Sequence, residues 1–366
     1  MKVGELLAAA GNPHPTLSDA GWFVKLVSET QWDGLNEALA AHRLGPLLCW
    51  RLQQCDADVP AKVQRCLTAL YLQRKHQAER VFELAADITQ ALDEVSIPCV
   101  VLKGAALAHM AYAEPGLRPM DDIDMLVAPA DMPAANDVLE RLGLNVRQPN
   151  TRAEKRHHHW PAAVDVRSYP PLFVEMHHAI YSKRLGKALT LAQLQAPITR
   201  LTYKGRHLHA MHPEEFLETQ IKRMAHLTEP FRGVFVSDVI GLAEYQFDRF
   251  DWERVCSKNP KVRQVFAALQ ELTPLSDKLC DALDISRQVP KKPRSLDRCG
   301  YQGWPYRKEK SSKVAWETLT PNPWWARIAY GKSSGSFDTC LVRFFYHPLN
   351  LLKQTAIRLL NGSLAQ

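Results

Sequence analysis

Apolar residues recur at helical spacing through the first part of the chain. Trp32, Leu35 and Leu39, then Leu47, Leu48 and Leu52, mark such faces, and no strand-like alternation separates them. The clearest stripe runs over residues 77–95, where Val81, Leu84, Ala85, Ile88, Ala91, Leu92 and Val95 share one helical face and Pro98 closes it. The period then changes. Cys99-Val100-Val101-Leu102 is a short apolar run of the buried-strand kind, followed by a Lys103-Gly104 turn and a helix over 105–112. After a loop with Pro115, Gly116 and Pro119, residues 121–127 read as a second strand, and Asp131 with Pro133 opens a helix that stops at Gly143. Val164-Asp165-Val166 and Phe173-Val174-Glu175-Met176 predict two further strands.

Beyond Leu185 the helical period returns, through Phe216, Ile221, Met224 and Leu227, then Val239, Leu242 and Ala243, then Val265, Leu269 and Leu272. Residues 288–313 shift to Pro, Lys, Arg, Ser and Gly, the composition of an extended arm. Its Tyr301, Trp304 and Tyr306 either pin the arm to the body or stack on bases beside the cations. The last segment predicts a packing helix with Leu349, Leu352, Ile357 and Leu360 on its apolar face. The expected organisation is an N-terminal helical domain (1–96), an α/β core (97–185), a C-terminal helical domain (186–286), and a basic arm with a terminal helix (287–366). No fixed-period repeat supports a solenoid.

At 366 residues, 46% hydrophobic and 23% charged, the chain exceeds one ordinary domain and is too apolar for disorder. The formal charge of +7 is unevenly spread, with +9 over residues 288–366 and −2 over residues 1–287. Any acidic partner attracted by bulk charge is therefore expected at the C-terminal end. No run of 18 apolar residues is present, and the eight cysteines never fall closer than six positions apart. These features predict no membrane span, no signal peptide, no paired-cysteine zinc site, and the reduced thiols of a cytoplasmic protein.

The candidate chemistry lies in the middle of the chain. Alternation on a strand turns Asp122 and Asp124 to one face, with Ile123 in the core between them. Two neighbouring carboxylates repel unless a cation lies between them, and Mg²⁺ suits them because it prefers carboxylate oxygens and leaves positions for phosphates. Glu175 shares a strand face with Phe173 and His177 and supplies a third acid, a set able to hold two metal ions for nucleotidyl transfer. Gly104, at a helix start, permits close backbone approach to a phosphate, and Lys103 and Arg118 supply positive charge. Asp121 faces the other way, as a structural partner. The competing readings are a solvated pair for Asp122 and Asp124, a salt bridge to Arg167 for Glu175, and a plain strand end for Lys103.

The Leu102-Lys103-Gly104 turn, Arg118 ahead of an Asp122-x-Asp124 strand ending Leu126-Val127, and the later Val174-Glu175-Met176-His177 strand together resemble the nucleotidyltransferase superfamily of the DNA polymerase β type. The likeness is strongest to a bacterial branch known only by that activity class. It covers residues 20–280, including Ser237-Asp238 and Asp251-Trp252. It implies an α+β fold, a small polymerase β-like core between helical flanks. It also implies a two-metal Mg²⁺ site on Asp122, Asp124 and Glu175, and nucleotide binding at Gly104. The chain departs from the superfamily in having Lys103-Gly104-Ala105 where Gly-Ser or Gly-Gly is usual, and in the long step from Gly104 to Asp122.

The expected activity is transfer of a nucleoside monophosphate, AMP from ATP, to a hydroxyl or phosphate acceptor. That acceptor is a peptide, antibiotic, sugar, protein or RNA. The alternatives are a non-catalytic nucleotide- or partner-binding module and an RNA-directed transferase using the basic arm. His157, His158 and His159 are expected to diverge, since consecutive residues on an extended chain alternate faces, and to form a loop at the site mouth. His177 and His178 are expected to orient Glu175, touch substrate or act structurally. Lys222 and His226 are candidates for substrate contact. No Ser-His-Asp triad, cysteine nucleophile, dinucleotide loop or P-loop is present.

Overall fold

The computed structural model describes every residue except 16–18, 152–153, 155–156, 181–188, 226–230, 304–306, 308–310, 332–335 and 354–366. Leu227, His226, Trp304, Tyr306, Ile357 and Leu360 lie outside the described residues. The chain forms two compact units, one of Met1–His42, Glu218–Ile240 and Phe250–Gln366, the other of Arg43–Leu217 and Gly241–Arg249.

The second unit is built on a six-stranded sheet in the order β3-β4-β2-β1-β6-β5. Its strands are β1 (Cys99–Leu102), β2 (Asp122–Val127), β3 (Ala163–Asp165), β4 (Leu172–His177), β5 (Thr199–Tyr203) and β6 (Arg206–Ala210). β1 is buried throughout, which explains its unbroken apolar run. It pairs antiparallel with β2 and parallel with β6. β2 in turn runs parallel to β4, with Asp124 opposite Glu175 and Leu126 opposite His177.

The long helix Ala61–Glu94 buries Val63, Leu67, Ala78, Val81, Phe82, Ala85, Ile88 and Leu92. It begins sixteen residues before the helix predicted from apolar periodicity. Over residues 61–76 Val63 and Leu67 alone are buried, so there the helix rests on the high helix propensity of Ala, Leu, Lys, Gln and Arg rather than on an apolar stripe. It ends where Ser96 turns to φ +57°, before Pro98 and β1.

The α+β class is as the sequence implies, but the stretch after residue 185 is not helical throughout. Thr199–Tyr203 and Arg206–Ala210 form a hairpin that extends the sheet. Its turn is Lys204-Gly205, both at positive φ, the conformation that two-residue hairpin loops require.

The other unit is helical in its described residues, with Leu6, Leu7, Phe23, Phe266, Trp324 and Trp325 fully buried. Two of its helices, Ser312–Leu319 and Pro323–Tyr330, belong to the basic stretch. Tyr301 pins the arm preceding them, its ring 4.9 Å from Trp325 and its hydroxyl donating to the Thr318 carbonyl at 3.3 Å. Leu349 and Leu352, expected to pack, are 62% and 68% exposed. Among the described residues no helix is long and apolar enough to cross a membrane. All eight cysteines are free.

Candidate active site

The register of β2 against β4 sets the site. Because paired residues of adjacent strands point to the same face, Asp124 and Glu175 project side by side. His177, two residues further along β4, shares that face. Asp124 is 2% exposed. Its Oδ1 accepts from Lys103 Nζ at 2.5 Å and from His177 Nε2 at 2.8 Å. His177, fully buried, also lies 3.4 Å from Glu175 Oε2. Ligand atoms of Asp124, Glu175 and His177 all fall within 4.8 Å of one another.

These contacts govern ionisation. Burial alone would raise the Asp124 carboxyl, but the Lys103 ammonium and the His177 hydrogen bond outweigh it and hold the group well below the usual carboxylate range. The His177 hydrogen bond likewise lowers Glu175 against the cost of burial. Burial opposes charge on His177, yet its bonds to Asp124 and Glu175 raise its pKa. Asp122 behaves differently. It sits at the exposed start of β2, where the protein around its carboxylate still displaces enough water to raise its pKa, and the Asp124 charge adds to the shift.

Lys103 follows directly on β1 and begins the helix Lys103–Met110, which no side chain caps. Its φ is +45°, a left-handed conformation that costs a residue with a Cβ about 1–2 kcal/mol. The tight turn therefore falls on the lysine, not on Gly104 as the sequence suggests. Strain of this kind concentrates at functional sites, and here it aims the ammonium at Asp124. Gly104 is needed for space, since a Cβ there would stand 2.8 Å from Arg118 Nη1 and 3.2 Å from Met120 Cγ. Arg118, 6% exposed, is thus held against the helix start, the place where free backbone N–H groups receive anions.

The surroundings separate candidates from scaffolding. Asp121 accepts from Arg43 at 2.6 Å and Arg74 at 3.0 Å, the structural pairing expected of it. Arg167 pairs with Asp165 at 2.7 Å, so it is not the partner of Glu175. His178 donates to the His157 carbonyl at 2.7 Å, and Lys222 pairs with Glu218 at 2.7 Å. The three consecutive histidines contradict the expected divergence. The backbone bends at His157 and His158, and ligand atoms of His157, His158 and His159 come within 4.8 Å of one another. They border the acidic cluster, with His159 Nε2 3.8 Å from Glu175 Oε2 and the His158 ring 5.3 Å from that of His177. Burial and the adjacent imidazoles push the His158 pKa down to about 3.

The donor set fits a divalent cation. Two carboxylates and the His177 imidazole, able to ligate once it gives up its proton, converge, and the Lys103 ammonium stands against Asp124 as a neighbouring positive charge. Asp122 lies outside that convergent group but on the same strand face. His177 is the member that the acidic motif does not announce. Its signal is the i+2 spacing from Glu175.

A strand acid paired in register with a neighbouring strand acid thus stands beside a lysine turn and an uncapped helix start. Residues 28–275 match the family described as uncharacterised nucleotidyltransferase, and the chain belongs to that family of transferases. Similar solved structures include the antibiotic-resistance factor ANT(2'')-Ia, 16% identical with a TM-score of 0.36, covering 52% of this chain and 95% of that one. An antigenic nucleotidyltransferase-like protein from Paracoccidioides brasiliensis is 13% identical with a TM-score of 0.35, covering 55% of this chain and 96% of its own. No curated protein matches the sequence significantly.

Proposed function

We propose that the protein transfers a nucleoside monophosphate, AMP from ATP, to a hydroxyl or phosphate acceptor and releases pyrophosphate. The observation that carries this reading is the in-register pair Asp124–Glu175, with Asp124 buried and bonded to Lys103 and His177. Asp122, Asp124 and Glu175 would hold Mg²⁺, with His177 as the added nitrogen donor. The bound cation would supply charge neutralisation at the phosphates and a more acidic acceptor hydroxyl. The residues of the chain do the rest. Lys103, Arg118 and the backbone at Gly104 hold the triphosphate. The acceptor oxygen attacks the α-phosphorus, the bond from the α-phosphorus to the bridging oxygen breaks, and the electron pair leaves with pyrophosphate. Glu175, ionised at neutral pH, receives the acceptor's proton.

The test is to incubate the protein with Mg²⁺ and each labelled nucleotide in a cell extract and to identify the labelled species by mass spectrometry. Labelling from ATP, lost in Asp124→Ala and Asp122→Ala, is the expected result. Absence of labelling from every nucleotide would overturn it. One observation favours a second reading, a non-catalytic binding module: Lys103 and His177 already neutralise Asp124 without a metal. In that case Asp124→Ala would leave nucleotide or partner binding intact.

A further inference from the structure

A second cluster of ligand-bearing side chains lies outside the acidic site. Asp93 stands in the last turn of the helix Ala61–Glu94, and His207 and His209 lie two residues apart on β6, hence on one strand face. His207 Nε2 is 3.5 Å from Asp93 Oδ2 and His209 Nδ1 is 3.8 Å from Asp93 Oδ1. The ligand atoms of the three residues all fall within 4.8 Å of one another. Their side chains are 37%, 29% and 25% exposed, so an ion could reach them and keep a water ligand.

The neighbours of this cluster sharpen its chemistry. Along the same helix, Glu79 pairs with Lys204 at 2.9 Å and Asp87 pairs with Arg206, each an acid matched by a permanent cation. Asp93 is different, because its ion-pair partners among the described residues are the two imidazoles, which can give up a proton and become ligands. Tetrahedral ligands about 2.0–2.2 Å from a zinc ion sit roughly 3.3–3.5 Å apart. The two Asp93–histidine separations need to close by a few tenths of an ångström, and the two histidine nitrogens, within 4.8 Å of each other, by up to about 1.3 Å.

We propose that Asp93, His207 and His209 form a site for a d-block divalent cation, Zn²⁺ by preference. Two nitrogen donors disfavour Mg²⁺ and Ca²⁺, which select oxygen. The site has a structural consequence. Asp93 immediately precedes the turn into β1, and β6 is the strand that β1 pairs with on one side, Val101 opposite Ala210. A bound ion would tie the entry of β1 to its neighbour, and β1 is the strand that leads into Lys103.

The test uses full-length protein without an affinity tag, stripped of metal and titrated with ZnCl₂ by calorimetry in excess Mg²⁺. His157, His158 and His159 are replaced by Gln throughout, to remove the other histidine cluster. The expected result is that His207→Gln/His209→Gln, and separately Asp93→Asn, lose one equivalent of bound Zn²⁺ relative to the parent. The rise in melting temperature that Zn²⁺ gives the parent should shrink with it. Circular dichroism and pyrophosphate release without Zn²⁺ should be unchanged in these variants. Equal stoichiometry in parent and variants, or no loss of the melting response, would overturn the site and leave Asp93 as one more ion-pair rung.

Discussion

Two regions of the molecule carry charge in opposite ways. Beyond residue 287 the balance is +9, yet the cations described there are exposed or half-buried rather than buried. Lys292, with a side chain 70% exposed, meets Glu5 at 3.3 Å, and Arg294 meets Glu271 at 2.9 Å. Pairs whose cation keeps part of its hydration, as these do, contribute about 0–1 kcal/mol each. Around β2 and β4 there is no comparable excess, but Asp124 is buried and holds Lys103 at 2.5 Å and His177 at 2.8 Å. Removing one partner of a buried charge costs about 3–5 kcal/mol, because the charge left behind has no water. Net charge thus marks a surface, whereas burial of opposed charges marks a place prepared for a ligand.

The largest test of that contrast removes charge without changing shape. Glu175→Gln keeps the strand and the packing but takes away a ligand and the proposed proton acceptor. Pyrophosphate release is expected to fall by at least about a hundredfold, roughly 2.7 kcal/mol of barrier. Melting temperature should stay close to the parent, since Glu175 is only partly buried. A variant with more than a tenth of parental activity would remove Glu175 from the chemistry.

A pair of glycines gives the intermediate test. In Gly104→Ala the new Cβ would stand 2.8 Å from Arg118 Nη1, the far end of a long side chain that can move aside. The expected cost falls on nucleotide binding: a KM for the nucleotide raised about five- to twentyfold, with kcat and stability little changed. In the helical unit, Gly300 has φ +76° and a Cβ there would stand 2.2 Å from Phe231 Cβ, so both backbone and core must yield. Gly300→Ala is expected to lose about 2–3 kcal/mol of stability, read from denaturant unfolding, with KM unchanged. If the two variants swap signatures, Gly104 serves the core and Arg118 is not poised for the nucleotide.

How much of this was legible depends on the period involved. Alternation along residues 121–127 and 173–177 is enough to put Asp122 with Asp124, and Glu175 with His177, because a strand has a period of two. Which strands adjoin is a long-range fact, and no residue of β2 announces that Asp124 will stand opposite Glu175 rather than a residue of β1. The β5–β6 hairpin did carry a signal, Lys204-Gly205 between alternating residues, but it is easily overlooked beside the helical spacing of Phe216 and Ile221. The left-handed φ of Lys103 has no local signature, since a lysine carries none of the glycine or asparagine preference for that region. The convergence of His157, His158 and His159 is hidden for a related reason: alternation holds only for an extended chain, and this one bends.

The smallest expected effect concerns the basic region itself. A groove of about 820 Å³ there is lined by Lys2, Lys291, Lys292, Arg294 and Arg298, with Glu5 and Glu271 among them. The two acids already engage Lys292 and Arg294, which leaves the groove's potential well below what its cations alone would give. Lys291→Gln/Lys292→Gln/Arg298→Gln is therefore expected to change kcat/KM by less than about threefold at constant salt, since none of the three belongs to the Asp124–Glu175 cluster. The sharper measurement is salt dependence with an RNA acceptor. A polyanion engaging these residues would show a slope of log K against log salt that falls by about 0.7 for each charge removed on a single strand. A drop of about two units in that slope, together with lost transfer to RNA, would make the basic region the acceptor surface. The contrast between the two regions would then be a division of labour, with one holding the nucleotide and the other its acceptor.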